Sequence, residues 1–339
     1  MKEKIVLGLS GGVDSAVAAA LLRRDYEVHC LFLDAGSGTG REDARATACF
    51  LHLPFAVSSI REPLEECVCT PFAADYVNGK TPLPCARCNP LVKFPALMRE
   101  ADRIGARLVA TGHYARTATE EGTLRPLLLK GKPENDQSYL LSRLRPRQIE
   151  RIRFPLGGYR KQEVRGLAKE MGLPVYAKPD SMEICFIPEG DYAAWLALRG
   201  PVPPEGDFVD SSGRVLGRHR GIHHYTLGQR RGLRFSAGRR MYVSKIDPKT
   251  NRITLSEGDG LLVREALCRA PNWISGDGLS FPAEGTVKFR HTRREEPAIF
   301  TPRGDLVHIA LNAPVRMPAP GQLAVFYQGD QVMGSGWLI

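Results

Sequence analysis

The stretch IVLGLSGGVDSAVAAALLRR, from Ile5 to Arg24, decides the fold of this chain. Its first three residues are apolar and rich in β-branched side chains, which predicts a strand, and Ala16 to Arg23 is a run of strong helix formers. The glycine-rich SGGVDS between them therefore predicts a tight turn from a strand into a helix. Repeated strand-then-helix segments downstream indicate that this turn belongs to an α/β sheet.

The turn itself predicts an anion-binding site. Gly11 and Gly12 allow the backbone to turn sharply and to approach a ligand closely, and the free N–H groups at the start of the following helix attract a phosphate. Ser10 and Ser15 add hydroxyl groups, while Asp14 would cap the helix or hold a metal-bound water. Neither the Gly-Lys-Ser/Thr of a Walker loop nor a G-x-G-x-x-G is present, which excludes those two motifs. For the glycines alone, an ordinary glycine-rich turn is the alternative.

Length, composition and charge limit the classes of protein. A chain of 339 residues exceeds what one core usually supports, so two or three domains are expected. No run reaches the roughly 18 apolar residues that span a membrane, which predicts a cytoplasmic protein without a membrane partner. The eight cysteines are expected to be thiols, metal ligands or redox residues. The net charge of +10 indicates an acidic partner such as nucleic acid, with a basic enzyme lacking one as an equal alternative.

Strand-like segments place the candidate ligand. Runs at 27–33, 54–58 and 107–111 predict further strands of a parallel sheet with helices on both faces, whose ligand lies at the carboxyl ends of the strands. Leu33 ends the first of these runs, where an adenine could rest, and Gly112-His113 follow the last. A place in the core is the alternative for Leu33, and a structural role is the alternative for the histidine.

A change of composition near residue 200 divides the chain. Prolines and a glycine mark a linker there, and short alternating strands with many arginines replace the helices beyond it. We therefore expect an α/β domain over 1–199, a small β-rich central domain over 200–260 and a C-terminal antiparallel β-barrel over 261–339.

The segment PLPCARCN, 82–89, carries a CxxC pair, Cys85 and Cys88, in a proline-framed loop. A structural metal site, a dithiol redox pair, an iron–sulfur ligand pair and a lone nucleophile with a chance neighbour are the competing interpretations. Cys185 is the third cysteine in a comparable polar setting. Three cysteines suit a [4Fe–4S] cluster with one open iron, and equally suit sulfur transfer through a persulfide and a disulfide. Arg87 and Lys93 are expected to favour thiolates.

Seven arginines crowd the predicted central domain, with histidines and a tyrosine interleaved. A solvated hairpin is the alternative for any single arginine, but their density favours contacts with the phosphates of a nucleic acid. Such binding would weaken steeply as the salt concentration rises. The arginines are Arg218, Arg220, Arg230, Arg231, Arg234, Arg239 and Arg240, and the interleaved residues are His219, His223, His224 and Tyr225.

Seven motifs together give the chain a family resemblance. SGGVDS on its own resembles the pyrophosphate loop of the N-type ATP pyrophosphatases, which cleave ATP between the α and β phosphates to adenylate a carbonyl oxygen. The motifs are SGGVDS (10–15), KTPLPCARCNPLVKF (80–94), TGHY (111–114), DQSYLL (136–141), KPDSMEICFI (178–187), TLGQRRGL (226–233) and GQLAVFY (321–327). Across essentially the whole chain, this series resembles the bacterial and mitochondrial tRNA-specific 2-thiouridylases, in their CxxC branch.

The resemblance implies an architecture and a reaction. The architecture is a parallel-sheet ATP pyrophosphatase domain, a small central tRNA-binding domain and a C-terminal β-barrel. The reaction replaces the C2 oxygen of the wobble uridine (position 34) with sulfur, and it requires adenylation because that oxygen is a poor leaving group. ATP and Mg²⁺ are the implied cofactors. The implied partners are tRNA and a sulfur donor, either a persulfide carrier protein or sulfide.

The resemblance also implies the site residues. Cys88 would be the nucleophile and Cys185 the persulfide-bearing cysteine, with Cys85 where many members have an aspartate. Asn135 stands where a lysine is common, and His291 where a tyrosine is common. The implied ATP site comprises Gly8, Leu9, Ser10, Gly11, Gly12, Val13, Asp14, Ser15, Leu33 and Gly112. The implied tRNA contacts are His113, Asp136, Gln137, Arg290 and Gln322.

Alternatives stay open at this point. Cys85, Cys88 and Cys185 would, in a second hypothesis, hold an oxygen-sensitive [4Fe–4S] cluster whose open iron binds sulfide. A different tRNA position is the alternative target. An ATP-dependent amide-forming ligase and a non-catalytic RNA-binding protein are other classes, but the first leaves the cysteines and arginines unexplained and the second leaves the ATP loop and the cysteines without purpose.

Overall fold

The computed structural model describes residues 2–180, 184–187, 190–233, 240–276, 279–291 and 294–339. The N-terminal part is a five-stranded parallel sheet in the order β3-β2-β1-β4-β7. Its strands are β1 (Glu3–Gly8), β2 (Tyr26–Asp34), β3 (Phe55–Ser59), β4 (Leu108–Thr111) and β7 (Ile152–Arg153). The predicted α/β class and parallel sheet are confirmed.

Helices cover both faces of this sheet because its strands are apolar on both sides. The first helix is almost entirely buried, as its alanine-rich sequence requires, and it packs against the helix that begins at Lys161. The helices are α1 (Val13–Leu22), α2 (Arg41–Phe50), α3 (Arg61–Leu64), α4 (Thr70–Val77), α5 (Pro84–Cys88), α6 (Phe94–Arg103), α7 (Ser138–Leu141), α8 (Pro146–Arg151), α9 (Lys161–Glu170) and α10 (Tyr192–Ala197). Two π-helical turns, Glu65–Cys69 and Asn89–Lys93, join α3 to α4 and α5 to α6.

A four-stranded sheet in the order β10-β11-β8-β9 follows in the chain. Its strands are β8 (Gly206–Val209), β9 (Val215–His219), β10 (Tyr242–Asp247) and β11 (Arg252–Ser256). Its own small core is built around Phe208, Tyr225 and Ile253, each at most 2% exposed. A short 3-10 turn at Ile222–His224 follows β9, and a second at Gly258–Leu261 follows β11.

The C-terminal part is a closed six-stranded antiparallel barrel, as the sequence predicts, because β12 pairs with both β15 and β17. Closure leaves a small barrel without a free edge in that ring. Its strands are β12 (Leu262–Trp273), β13 (Ala283–Lys288), β14 (Glu296–Arg303), β15 (Leu306–Arg316), β16 (Leu323–Gln328) and β17 (Gln331–Leu338).

A hairpin from the N-terminal part is attached to this barrel. Its strands, β5 (Ala115–Thr119) and β6 (Pro126–Lys130), follow β4, and β6 pairs with β17 at Leu129 and Gln331. This hairpin is not among the elements predicted from the sequence. Buried residues of the N-terminal part and of the barrel also form one apolar cluster, in which Tyr139 donates its hydroxyl to the Leu323 carbonyl at 3.0 Å.

Candidate active site

The SGGVDS segment forms the predicted turn between β1 and α1. Gly11 has φ +78°, in the left-handed region, and a Cβ there would lie 2.1 Å from the Gly40 carbonyl oxygen, so this position requires glycine. Ser15 accepts from the Ser10 backbone N–H at 3.1 Å and donates to the Gly12 carbonyl at 3.0 Å, which fixes the turn from within. The helix begins after Gly12, whose position as N-cap carries no capping side chain, a geometry suited to an anion.

The carboxyl ends of three neighbouring strands meet at this turn. Strands β2, β1 and β4 run in parallel and end at Asp34, Gly8 and Thr111. Gly112 touches the turn directly, because a Cβ there would lie 2.9 Å from the Ser15 nitrogen. Leu33 lies one residue before the end of β2. The structure thus brings the residues predicted to bind ATP to one edge of the sheet, where ligands of such folds bind.

Two lysines at this edge were not identified from the sequence. Lys161 donates to both carboxylate oxygens of Asp14, at 2.7 and 2.6 Å, and it pairs with Asp180 at 2.9 Å. Lys178 donates to the Gly11 carbonyl at 3.0 Å. Lys178 also pairs with Asp43, so both ammonium groups at the turn have carboxylate partners. A signal was present, since Lys161 is the first residue of α9, where the positive end of the helix dipole disfavours a cation.

The groups around Asp14 form a connected network. Tyr114 donates its hydroxyl to Asp14 at 2.7 Å, and its pKa is raised, first by burial and then by that bond. Burial also acts to raise the pKa of Asp180, but ion pairs with Lys161 and Arg165 outweigh it and hold the pKa below its ordinary value. Asp14 is thus ion-paired and the N-cap of α1 is Gly12, so helix capping by Asp14 is not observed, while a metal-bound water on Asp14 stays a prediction.

Cys88 lies at the end of α5, just before a π-helical turn, and is 9% exposed. It packs in an apolar cluster with Val68, Cys69 and Val92, and Leu33 and Phe186 border this cluster. Burial raises the pKa of the Cys88 thiol to about 12, although the Lys93 ammonium acts in the opposite direction. Lys93 thus favours the Cys88 thiolate, as expected, but loss of water outweighs this attraction.

Cys185 shares the surroundings of Cys88. Its side chain is exposed, yet local burial raises its pKa, and Lys93 acts to lower it as it does for Cys88. A charge on Cys185 or on Cys85 would raise the pKa of Cys88 further, so the three thiols lie within electrostatic reach of one another. Arg87 forms an ion pair with Asp75 at 3.7 Å. The Arg87 guanidinium also lies over the ring of Trp337.

The [4Fe–4S] hypothesis fits this arrangement poorly. Cys88 is buried among apolar side chains whereas Cys85 and Cys185 are exposed. Within the described part of the chain, no three His, Cys, Asp or Glu side chains are grouped so that they could hold a metal ion. We therefore derive no step through a cluster.

Two predicted tRNA contacts hold a turn of the protein itself. Asp136 accepts from the backbone N–H groups of Gly131 and Ser138, at 3.1 and 3.0 Å, and pairs with Lys288 of the barrel at 3.2 Å. The side chains of this ion pair are 6% and 7% exposed. Gln137 accepts from the Tyr114 backbone N–H at 3.0 Å. Both side chains thus already have partners in the protein.

His113 is also engaged. Its Nδ1 lies 2.7 Å from the Thr111 hydroxyl, and its ring lies among Phe94 and Phe154. The ring is densely surrounded even though part of the residue reaches the surface. Burial holds the pKa of His113 well below its ordinary value, so the imidazole is neutral at neutral pH.

Gln322 and Arg290 link the barrel to other parts of the chain. Gln322 donates to the Thr81 carbonyl at 2.9 Å, and the Thr81 backbone N–H donates to the Pro320 carbonyl at 2.9 Å. The Thr81 hydroxyl donates to that of Thr226 at 3.2 Å. Arg290 donates to the Leu227 carbonyl at 3.4 Å. Thr81, four residues before Cys85, is thus a point where three parts of the chain meet; direct tRNA contact by these residues stays a prediction.

The arginines of this stretch are exposed where the structure describes them, whereas two of its histidines, His219 and His223, are buried. Burial lowers the pKa of His223 to about 4 and also lowers that of His219, and both side chains are buried. Tyr225 is likewise buried. The exposed arginines are Arg218, Arg220, Arg230, Arg231 and Arg240, while Arg234 and Arg239 lie outside the described residues. None of the described helices is long and apolar enough to cross a membrane.

Comparison with known proteins covers the whole chain. Three family models match, described as a tRNA methyl transferase HUP domain over 3–189, a tRNA methyl transferase PRC-barrel domain over 195–257 and an aminomethyltransferase beta-barrel domain over 263–338. The tRNA-specific 2-thiouridylase MnmA of Syntrophotalea carbinolica is 40% identical over 353 residues, covering 100% of both chains. That of Desulforamulus reducens is 39% identical, covering 99% of this chain and 97% of the relative. An NMN synthetase structure from Francisella tularensis overlaps 53% of this chain and 67% of its own at 21% identity, with a TM-score of 0.36.

Proposed function

This chain belongs to the tRNA-specific 2-thiouridylase family, and from that premise we propose that it replaces the C2 oxygen of the wobble uridine of tRNA with sulfur at the expense of ATP. The relatives match it from end to end, and three of the family's motifs, at 10–15, 80–94 and 178–187, carry the turn and the cysteines of the site described above. A reaction that couples nucleotide cleavage to sulfur transfer uses both.

The first half of the reaction is adenylation. ATP binds with its phosphates at the SGGVDS turn, where the N terminus of α1 and the ammonium groups of Lys161 and Lys178 face the negative charge. Mg²⁺ accompanies the nucleotide and offsets phosphate charge. The uridine C2 oxygen attacks the α phosphate, the bond to the β phosphate breaks, and pyrophosphate leaves. The C2 oxygen then carries AMP, which is a good leaving group.

The second half is sulfur transfer. Cys185 carries a persulfide, whose outer sulfur is transferred to the Cys185 thiol from the persulfide of a carrier protein, leaving the carrier as a free thiol. Its terminal sulfur attacks C2 and expels AMP, which leaves the base joined to Cys185 through a disulfide. The Cys88 sulfur then attacks the Cys185 sulfur, and the proton of the Cys88 thiol passes to the departing thiolated base. This releases the thiolated uridine and forms a Cys88–Cys185 disulfide, which an external reductant must reopen before the next turnover.

The observation that carries the proposal is the position of Leu33. It lies at the nucleotide edge of the sheet, one residue from the end of β2, and it also packs against the apolar cluster that contains Cys88. One side chain therefore separates the region suited to ATP from the region that holds the thiols. This proximity is what transfer onto an adenylated base demands.

The exposed arginines are the proposed binding surface for tRNA. Positive surface in the central part of the chain suits the tRNA backbone, and it is supplied by Arg218, Arg220, Arg230, Arg231 and Arg240.

Cys85 has no assigned step in the persulfide route. We place the reaction in the cytoplasm, where tRNA and ATP are both available.

Nucleoside mass spectrometry tests the proposal. Purified protein is incubated with unmodified tRNA, ATP, Mg²⁺, a persulfide donor and a thiol reductant, and the tRNA is digested. The expected product is 2-thiouridine at the wobble position, with one AMP and one pyrophosphate formed per thiolated base, and Cys185→Ser protein should form the adenylate without the thionucleoside. A thionucleoside elsewhere in the tRNA would move the target. A methylated nucleoside, or an unchanged digest, would refute thiolation.

A further inference from the structure

An aromatic trio formed by Phe72, Phe186 and Trp195 lies beside the cysteines. The Phe72 and Phe186 rings meet edge to face, with centroids 5.3 Å apart and planes at 90°. Trp195 lies 5.7 Å from Phe72 and 5.5 Å from Phe186. Such offset and edge contacts are the favourable arrangements for aromatic pairs, so the ring of Phe186 has a defined seat between the other two.

The seat is built by two helices that do not carry Cys185. Phe72 belongs to α4 and is 1% exposed, and Trp195 belongs to α10. The two helices are fastened a second time by Tyr76 and Tyr192, which stack with centroids 4.6 Å apart and planes at 20°. Two independent ring contacts make the seat rigid enough to hold a third ring in place.

A charged contact fixes Trp195 on its far side. The Arg199 guanidinium lies over the indole, 4.3 Å from the ring centroid, and it forms an ion pair with Glu65. Glu65 begins the π-helical turn that ends at Cys69, and this turn packs against the helix that carries Cys88. The seat for Phe186 is thereby tied to the scaffold around Cys88.

Phe186 is the residue after Cys185, so where its ring sits determines where that thiol can reach. Consecutive Cα atoms are about 3.8 Å apart, and Phe186 borders the apolar cluster that contains Cys88. Phe186 and Trp195 also line a cavity of about 530 Å³, together with Leu64 and Cys69. The Phe186 ring therefore does not lie in a closed core. Its contacts with the rings of Phe72 and Trp195 hold it in place more than close packing on all sides does.

We propose that Phe186 is a positioning residue, whose seat between Phe72 and Trp195 sets the reach of Cys185 toward Cys88. The inference deepens the proposed function, which supplies the purpose of the encounter between the two thiols. A disulfide tolerates Cβ–Cβ separations of only about 3.5–4.5 Å, so the loop that carries Cys185 has to be placed within narrow limits. A free ring would let the thiol sample positions too far away.

A thiol–disulfide equilibrium tests the positioning without ATP or tRNA. The protein is equilibrated with a mixture of reduced and oxidised glutathione, in which the oxidised form takes up the two electrons and two protons of the thiols. The Cys88–Cys185 bridge is then quantified by peptide mass spectrometry. In Phe186→Ala protein the equilibrium constant for the bridge should fall at least about tenfold, because loss of alignment lowers the effective concentration of one thiol at the other. Phe186→Tyr protein should retain the wild-type constant.

Two controls separate positioning from general damage. Phe281→Ala removes an exposed aromatic of the barrel, 39% exposed, and should leave the bridge unchanged. Iodoacetamide should alkylate Cys185 in reduced Phe186→Ala protein at no less than the wild-type rate, since loss of the ring leaves the thiol accessible. Trp195→Leu opens the same seat from the other side and should weaken the bridge as well, which provides the test if the Phe186→Ala chain does not fold.

The outcomes are distinct. The inference is overturned if the wild-type protein forms no Cys88–Cys185 bridge, or if both seat variants keep the wild-type constant. In a single turnover of the coupled reaction, Phe186→Ala should slow release of the thionucleoside by a similar factor, while the first release of AMP, which precedes the attack by Cys88, stays unchanged. A bridge weakened by Phe186→Ala in a protein that never thiolates tRNA would support the positioning and refute the proposed function.

Discussion

Replacing Asp136 with asparagine distinguishes a structural residue from an RNA contact. In the structure its carboxylate receives two backbone N–H groups and the ammonium of Lys288, and it joins the N-terminal part of the chain to the barrel. The asparagine side chain would keep the shape of the carboxylate but lose its charge. The expected result of Asp136→Asn is a local loss of stability at this junction with tRNA affinity unchanged within about threefold, a change of under about 1 kcal/mol.

The size of the effect follows from burial and from the remaining partner. Breaking a buried ion pair by removing one charge costs about 3–5 kcal/mol because the other charge is left unpaired. Lys288 retains Glu295 at 3.6 Å, which offsets part of this cost. We therefore expect about 2–3 kcal/mol, just below that range. Because about 1.4 kcal/mol corresponds to a factor of ten, local opening should become roughly 30- to 140-fold more frequent.

Hydrogen–deuterium exchange measures this opening without assuming that the whole chain unfolds as one unit. The amides of Gly131 and Ser138, which donate to Asp136, and those of β13 should exchange faster, while those of β1 should not. Lys288→Met provides the partner change, and the double variant should lose less than the sum of the two. Unchanged exchange together with a large loss of tRNA affinity would refute the structural assignment and establish Asp136 as an RNA contact.

Four further predictions concern the site itself. Asp14→Asn should reduce pyrophosphate release about a hundredfold or more, since Asp14 orients a lysine at the turn; filter binding should show tRNA affinity retained, and normal release would contradict the assignment of the turn. Gly112→Ala should also reduce pyrophosphate release, because the added Cβ would lie 2.9 Å from the Ser15 nitrogen. Gly158→Ala is the control, since Gly158 has open space around it and pyrophosphate release should stay unchanged. With its pKa raised to about 12, Cys88 is a neutral thiol at physiological pH, so its alkylation by iodoacetamide should rise about tenfold per pH unit between about pH 7 and 9; a plateau below about pH 8 would disprove the raised pKa. Cys85→Ser should retain thiolation if a persulfide carries the sulfur, and loss of activity, measured with the nucleoside assay, would instead favour a metal cluster.

The turn and the sheet could be predicted from the sequence because their signals are local. A short apolar run, glycines and a run of helix formers define β1, the turn and α1 without reference to any distant residue. The neighbourhood of Cys88 and Cys185 was different, since nearly a hundred residues separate them and the resemblance alone suggested that they meet. The family motifs carried that information; spacing did not.

The features that escaped prediction depend on distant partners. The β5–β6 hairpin pairs with β17, about two hundred residues further along the chain, and short strands of this kind lack a distinctive pattern. The pKa of Cys88 is set by apolar residues from several elements, which no count of nearby cations reveals. The histidines among the arginines looked available for RNA, but the fold turns two of them inward.

The junction at Thr81 has a consequence for synthesis of the protein. Its backbone bonds to Pro320 and Gln322, near the C-terminus, so the segment leading into Cys85 and Cys88 lacks these partners until the last strands have left the ribosome. Chains are made N-terminus first, and the sheet around the turn can settle long before that moment. A nascent chain could therefore bind nucleotide before the segment that carries Cys85 and Cys88 reaches its folded position. A chain released early, without the barrel, would keep that segment without its partners.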